Sequence, residues 1–143
     1  MQRTGSATWM GDLKSGRGHT STGSGGLREL NYSFTSRFEQ GPGTNPEELI
    51  AAAHAACFSM ALSKILGDQG HPPQRIDTKA TLTLSKLESG FRITRIHLAT
   101  EGAVPGLSSA GFEEAAQKAK ENCPVSQLVK PGLTSLTVDA RLV

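Results

Sequence analysis

The sequence predicts an α+β domain spanning residues 1–143, and three observations carry that expectation. One apolar run at 50–62 has the length and content of a buried helix. Short alternating segments precede it and a hairpin pattern follows it. A second helical pattern and a final strand close the chain. At 143 residues the chain suits one ordinary domain with a real core.

Gly, Ser and Thr dominate the first 40 residues, where strands are expected at 8–10, 18–22 and 32–38. Gly11-Asp12 and Gly23-Ser-Gly-Gly26 separate them. The glycine run lacks the spacing of a phosphate-binding loop and no helix follows it, so it reads as a β-turn. Asn45 then serves as N-cap of the first helix, with Pro46 at the first position and Glu48 completing a capping box. From Ile50 to Leu62 the helix is apolar almost all round, which predicts burial on every side, and its alanines admit close approach of another element. Gly67, Gly70 and Pro72-Pro73 end it.

Ile76, Ala80, Leu82 and Leu84 fall on one strand face, Glu88-Ser89-Gly90 turns the chain, and 91–100 runs back. The alternation changes phase between Ile93 and Ile96, which predicts a bulge there. A second helix starts after Ser108 or Ser109, with Glu113 and Glu114 early and Lys118 and Lys120 late. Pro124 disfavours helix at Cys123 and starts a short new one. Leu136, Val138, Ala140 and Leu142 mark the last strand.

Composition excludes several functions. A net charge of +2 with scattered Lys and Arg does not suit nucleic acid. The first residues lack the apolar core of a secretory signal, so a cytoplasmic protein is expected. The apolar run of 13 residues, interrupted by His54 and Ser59, falls short of a membrane span of about 20 residues. Two cysteines are too few for a disulfide scaffold, leaving buried apolar residues, metal ligands or reactive thiols.

Cys57 lies mid-helix in apolar surroundings, where an inert buried thiol and a nucleophile are both open readings. Cys123, as N-cap of the helix starting at Pro124, sits where free N–H groups favour a thiolate. His54 precedes Cys57 by three residues and so shares roughly its helix face, which permits a Cys/His pair, although a structural histidine is the simpler reading. His19, His71 and His97 offer no ligand spacing, and a metal site is not expected. Glu48 is explained by capping; Glu47 is not, and is either a functional carboxylate or a surface charge. Arg37 sits between Phe34 and Phe38 in the expected third strand, solvated or functional.

The segment from Gly43 through Asn45-Pro-Glu-Glu48 and His54-Ala-Ala-Cys-Phe-Ser-Met60 to Leu62, with Asn122-Cys-Pro-Val-Ser-Gln127, resembles the OsmC/Ohr family of osmotically inducible and organic hydroperoxide resistance proteins. The resemblance extends to Trp9–Asp12, Arg37-Phe-Glu39 and Val104-Pro-Gly106, and the His54–Met60 stretch looks like the OsmC branch. It implies a thiol peroxidase without metal, flavin or haem. It also implies antiparallel sheets packed around a long buried central helix in an intertwined homodimer, with sites at the subunit interface. By this resemblance Cys57 is the peroxidatic thiol, Cys123 resolves it, Glu47 is the catalytic glutamate and Arg37 the arginine, with Arg17 in Ser15-Gly-Arg-Gly18 as the alternative. It implies organic hydroperoxide as substrate, with hydrogen peroxide as a second candidate, and a dithiol reductant such as a dihydrolipoyl protein. Two rival readings stay open: a hydrolase or acyl transferase using Cys57 and His54, and a non-catalytic dimeric binding protein. Phe58 and Met60 are the expected pocket neighbours.

Overall fold

The computed structural model describes all of Met1–Val143. It contains two compact units, Met1–Leu49 and Ile50–Val143.

In the first unit β1 (Gly5–Met10), β2 (Arg17–Thr22) and β3 (Leu30–Ser33) form an antiparallel sheet in that order. The glycine run is a turn, closed by the Gly25 N–H on the Thr22 carbonyl at 2.9 Å. The expected third strand stops early. Ser33 and Ser36 exchange side-chain and backbone hydrogen bonds as a capping box, which bends the chain into a short helix, α1 (Phe34–Phe38). Arg37 is therefore helical, contrary to the strand expected over 32–38.

The second helix, α2, runs unbroken over Pro46–Asp68. The Asn45 side chain accepts the Glu48 N–H at 2.8 Å, as an N-cap should. Glu48 does not complete the box: its carboxylate takes the Thr44 hydroxyl at 3.3 Å instead of the Asn45 N–H. At the other end Gly67 stays within the helix. The stop comes at Gly70, whose φ of +83° lets the His71 N–H reach the Leu66 carbonyl at 2.9 Å.

In the second unit β4 (Arg75–Leu87) and β5 (Gly90–Ala103) form a long hairpin, and β6 (Ser135–Leu142) pairs with β5. The β5–β6 pairing is parallel, so the sheet is mixed rather than antiparallel as expected. A parallel neighbour requires a crossover. Here it consists of α3 (Ser109–Asn122), α4 (Pro124–Val129) and a 3₁₀ turn. The bulge falls as the phase change predicts: Thr83 pairs with Arg95 and Leu84 with Ile93, leaving Thr94 as the extra residue.

Phe58, Leu62 and Leu66 of α2, Ile96 and Leu98 of β5, and Phe112 of α3 lead the buried core. Gly102 is required in β5, because a Cβ there would lie 2.4 Å from the Phe112 ring. The expectation that α2 is buried on all sides fails in the single chain. Its buried residues, His54, Phe58, Leu62 and Leu66, recur every fourth position as one stripe. Met60 is 74% exposed on another face. The helix exceeds the 13-residue run and by length and composition alone would suffice to cross a membrane, its most apolar 18 residues having a mean hydropathy of 1.6 and being 22% buried.

Candidate active site

Two groups of side chains answer to the sequence expectations, one in each unit. In the first, Arg37 on α1 and Glu47 in the first turn of α2 form an ion pair. The Arg37 Nη2 and Nε donate to Glu47 Oε1 at 2.8 and 3.1 Å, and Nε also reaches Oε2 at 3.2 Å. The loop between them is fixed from within. Ser36 donates to the Thr44 carbonyl at 2.7 Å, and the Asn45 amide donates to the Ser36 carbonyl at 3.0 Å. The guanidinium also stands 5.1 Å from the Phe38 ring centre. Arg17 lies on β2, in register with Met10 and Ser33, and makes no ion pair with Glu47.

In the second group Cys57 and Cys123 meet. Pro124 opens α4, so Cys123 is both the last residue capping α3 and the N-cap of α4. Both thiols are free, Cys123 is fully buried, and its Sγ lies 3.1 Å from the Cys57 Sγ. The Val125 N–H, in the first turn of α4, is directed at the Cys57 sulfur. Burial pushes the Cys57 thiol above its ordinary pKa and the Cys123 thiol adds to this, while the Val125 N–H acts in the opposite direction. Within this unit the thiolate is therefore disfavoured.

His54 is fully buried, and its Nε2 is hydrogen-bonded to Ser126 Oγ on α4 at 2.7 Å. Its Nδ1 is buried without a partner. The sequence reading left both Ser126 and the Val125 N–H unnoticed. Their signal is position: once Pro124 starts a helix, Val125 and Ser126 complete a first turn that faces whatever lies beyond Cys123. No group of three or more His, Cys, Asp or Glu side chains converges in a way that could hold a metal.

A cavity of about 770 Å³ opens onto Cys57, lined by Met60, Ala61, Ile65, Asn122 and Pro124. Met60 is thus a pocket neighbour as expected, whereas Phe58 belongs to the buried core. A second hollow of about 860 Å³ lies where Ala55, Ala56 and Ser59 of α2 face strands β4, β5 and β6, and neither cysteine lines it.

Two apposed free thiols on an α+β frame with a helix-borne Arg–Glu pair define a dithiol protein. The chain belongs to the OsmC-like protein family, whose pattern matches residues 39–137. It is 53% identical over 134 residues, 94% of each chain, to a protein of Escherichia coli K12 named Peroxiredoxin OsmC, which places it in the OsmC branch. An organic hydroperoxide resistance protein of Xanthomonas axonopodis is 32% identical over 91 residues, 63% of this chain and 62% of that one. Among solved structures, the organic hydroperoxide resistance protein OsmC of Legionella pneumophila superposes with a TM-score of 0.74 at 27% identity, covering 97% of this chain and 96% of its own.

Proposed function

We propose that this chain is a cytoplasmic thiol peroxidase that reduces organic hydroperoxides to alcohols using Cys57 and Cys123. The observation that supports it best is the 3.1 Å approach of two free sulfurs, one of them at the start of a helix. The names of the Escherichia coli and Xanthomonas relatives point the same way. The Cys57 thiolate attacks the terminal peroxide oxygen. The O–O bond breaks, a proton converts the leaving alkoxide to alcohol, and Cys57 becomes a sulfenic acid. The Cys123 sulfur then displaces water to give the disulfide. An external dithiol, such as a dihydrolipoyl protein, returns both cysteines to thiols and is itself oxidised to a disulfide. Because sulfur carries the two-electron change, the chemistry calls for no metal, flavin or haem.

Burial works against the Cys57 thiolate, so the site needs a cation. Arg37 fits, since a guanidinium stays charged and offers several donors, and Glu47 already orients it. Glu47 and Cys57 lie about 15 Å apart along one unbroken helix, too far to share a site within one chain. The Arg37–Glu47 pair is therefore assigned to the partner's Cys57 in an intertwined homodimer. The uncovered apolar and alanine surface of α2 supports that assembly.

The rival hydrolase needs His54 as its base, and the His54 Nε2 is engaged by Ser126. The deciding experiment mixes reduced protein with cumene hydroperoxide in a stopped-flow instrument while free thiols are counted. One alcohol formed and two thiols lost per chain are expected. Unchanged thiols, or thioester cleavage without peroxide consumption, would overturn the reading.

A further inference from the structure

His54 is the one buried titratable group that this chemistry leaves unused. Its single hydrogen bond joins α2, one turn before Cys57, to α4, three residues after Cys123. Beside the apolar packing of Val125 and Val129 on the core, three polar contacts relate α2 to the start of α4: the sulfur–sulfur contact, the Val125 N–H acting on Cys57, and His54–Ser126. The first two involve the sulfur that changes when Cys57 is oxidised. The third involves neither sulfur, so it persists as Cys57 passes from thiol to sulfenic acid. A six-residue helix on a proline start has little hold of its own. A buried hydrogen bond between neutral groups in apolar surroundings is well suited to hold it.

We infer that His54 and Ser126 form a latch that positions Cys123 against Cys57, making Ser126 and His54 positioning residues for the resolving step. In that step Cys57–SOH and Cys123–SH become a disulfide plus water, with no other reactant. The kinetic part of this inference rests on the peroxidase reading above; the equilibrium part does not. With the latch in place the thiols are held in contact before they react. Without it α4 samples positions in which they are apart, and the effective concentration of one thiol at the other falls.

The test uses full-length wild-type protein, Ser126→Ala and Ser126→Thr, each first checked for a cooperative melting transition. All are equilibrated in dithiothreitol redox buffers, and the Cys57–Cys123 disulfide is measured by alkylation and mass. Ser126→Ala should lower the equilibrium constant for the disulfide about two- to twelve-fold, the range for one net hydrogen bond. Ser126→Thr keeps the hydroxyl and should restore it. In stopped flow with cumene hydroperoxide, the second phase of Ser126→Ala should slow by a similar factor relative to its own first phase, and sulfinic acid should accumulate. A folded Ser126→Ala protein with wild-type disulfide equilibrium and second phase would overturn the latch, as would a Thr variant as impaired as the Ala variant. If Ser126→Ala does not fold, His54→Leu, which removes the other half of the hydrogen bond, is read in its place. Absence of a first phase in wild type would instead overturn the peroxidase reading, and the redox-buffer measurement would still decide the latch.

Discussion

Arg37 holds Glu47 through three hydrogen bonds, so the two side chains should fail differently. Glu47→Gln keeps an acceptor oxygen but loses the charge that fixes the guanidinium, and it should depress the peroxidase rate while leaving stability nearly unchanged. In the proposed site Arg37→Ala would remove the charge that counters burial at Cys57. The pH profile of Cys57 alkylation should therefore move to higher pH. An unchanged profile, with a shifted one for Arg17→Ala, would move the role to Arg17. His54 carries its own pH signature. Burial holds its pKa below the ordinary 6.5, so the unfolded chain takes up a proton that the folded chain refuses. Stability due to the neutral ring is complete above about pH 6.5 and declines as pH falls below it. His54→Gln should flatten that acid arm in urea titrations, and an acid arm as steep as that of wild type would contradict the assignment. Little of this was legible beforehand. The motif around Cys57 pointed to the thiol, but only the fold brings Ser126 beside His54, because the two sit on helices far apart in sequence.

At the scale of elements, cap residues make the clearest division. The Asn45 side chain both accepts the Glu48 N–H and donates to the Ser36 carbonyl, tying α2 to the loop before it. Glu48 reaches only the exposed Thr44 hydroxyl. Asn45→Ala should then cost about 1 kcal/mol or more of stability, and Glu48→Gln well under about 1 kcal/mol with activity retained. Equal losses by chemical denaturation would restore Glu48 to the capping role that its spacing suggested. The same contrast explains what the sequence could convey. Local signals read correctly: Pro46, Pro124, the hairpin turn and the phase change that marks Thr94. α1 was missed because Ser33 and Ser36 cap one another, a weaker cue than the aromatic residues that suggested a strand. The parallel pairing of β6 was missed because register with β5 is decided by long-range packing, which leaves no local trace.

For the whole molecule, the apolar surface of α2 left open by a single chain is the feature on which the proposed homodimer rests. Periodicity exposed its apolar content but not the division into one buried stripe and one uncovered face. A homodimer with shared sites makes a sharp prediction. Cys57→Ser and Glu47→Gln chains, each nearly inactive, are unfolded and refolded together. Mixed dimers should recover activity, since one site then receives Cys57 from one chain and Glu47 from the other. Mixed dimers no more active than their parents would place each site within one chain.

Cys57 and Cys123 stand 66 residues apart in the chain and 3.1 Å apart in space. A covalent link across that distance would tie off nearly half the polypeptide as a loop. By chain entropy alone, such a closure restricts the unfolded ensemble by about 4 kcal/mol. The reduced and oxidised forms would then differ in resistance to heat and proteolysis as well as in chemistry. Calorimetry should find the oxidised form melting higher, and equal melting temperatures would mean that distortion of the folded form cancels the entropic gain. If peroxide drives that link as proposed, oxidation would shift the protein toward its harder-to-unfold form, and molecules waiting for reductant would also be the slowest to be degraded.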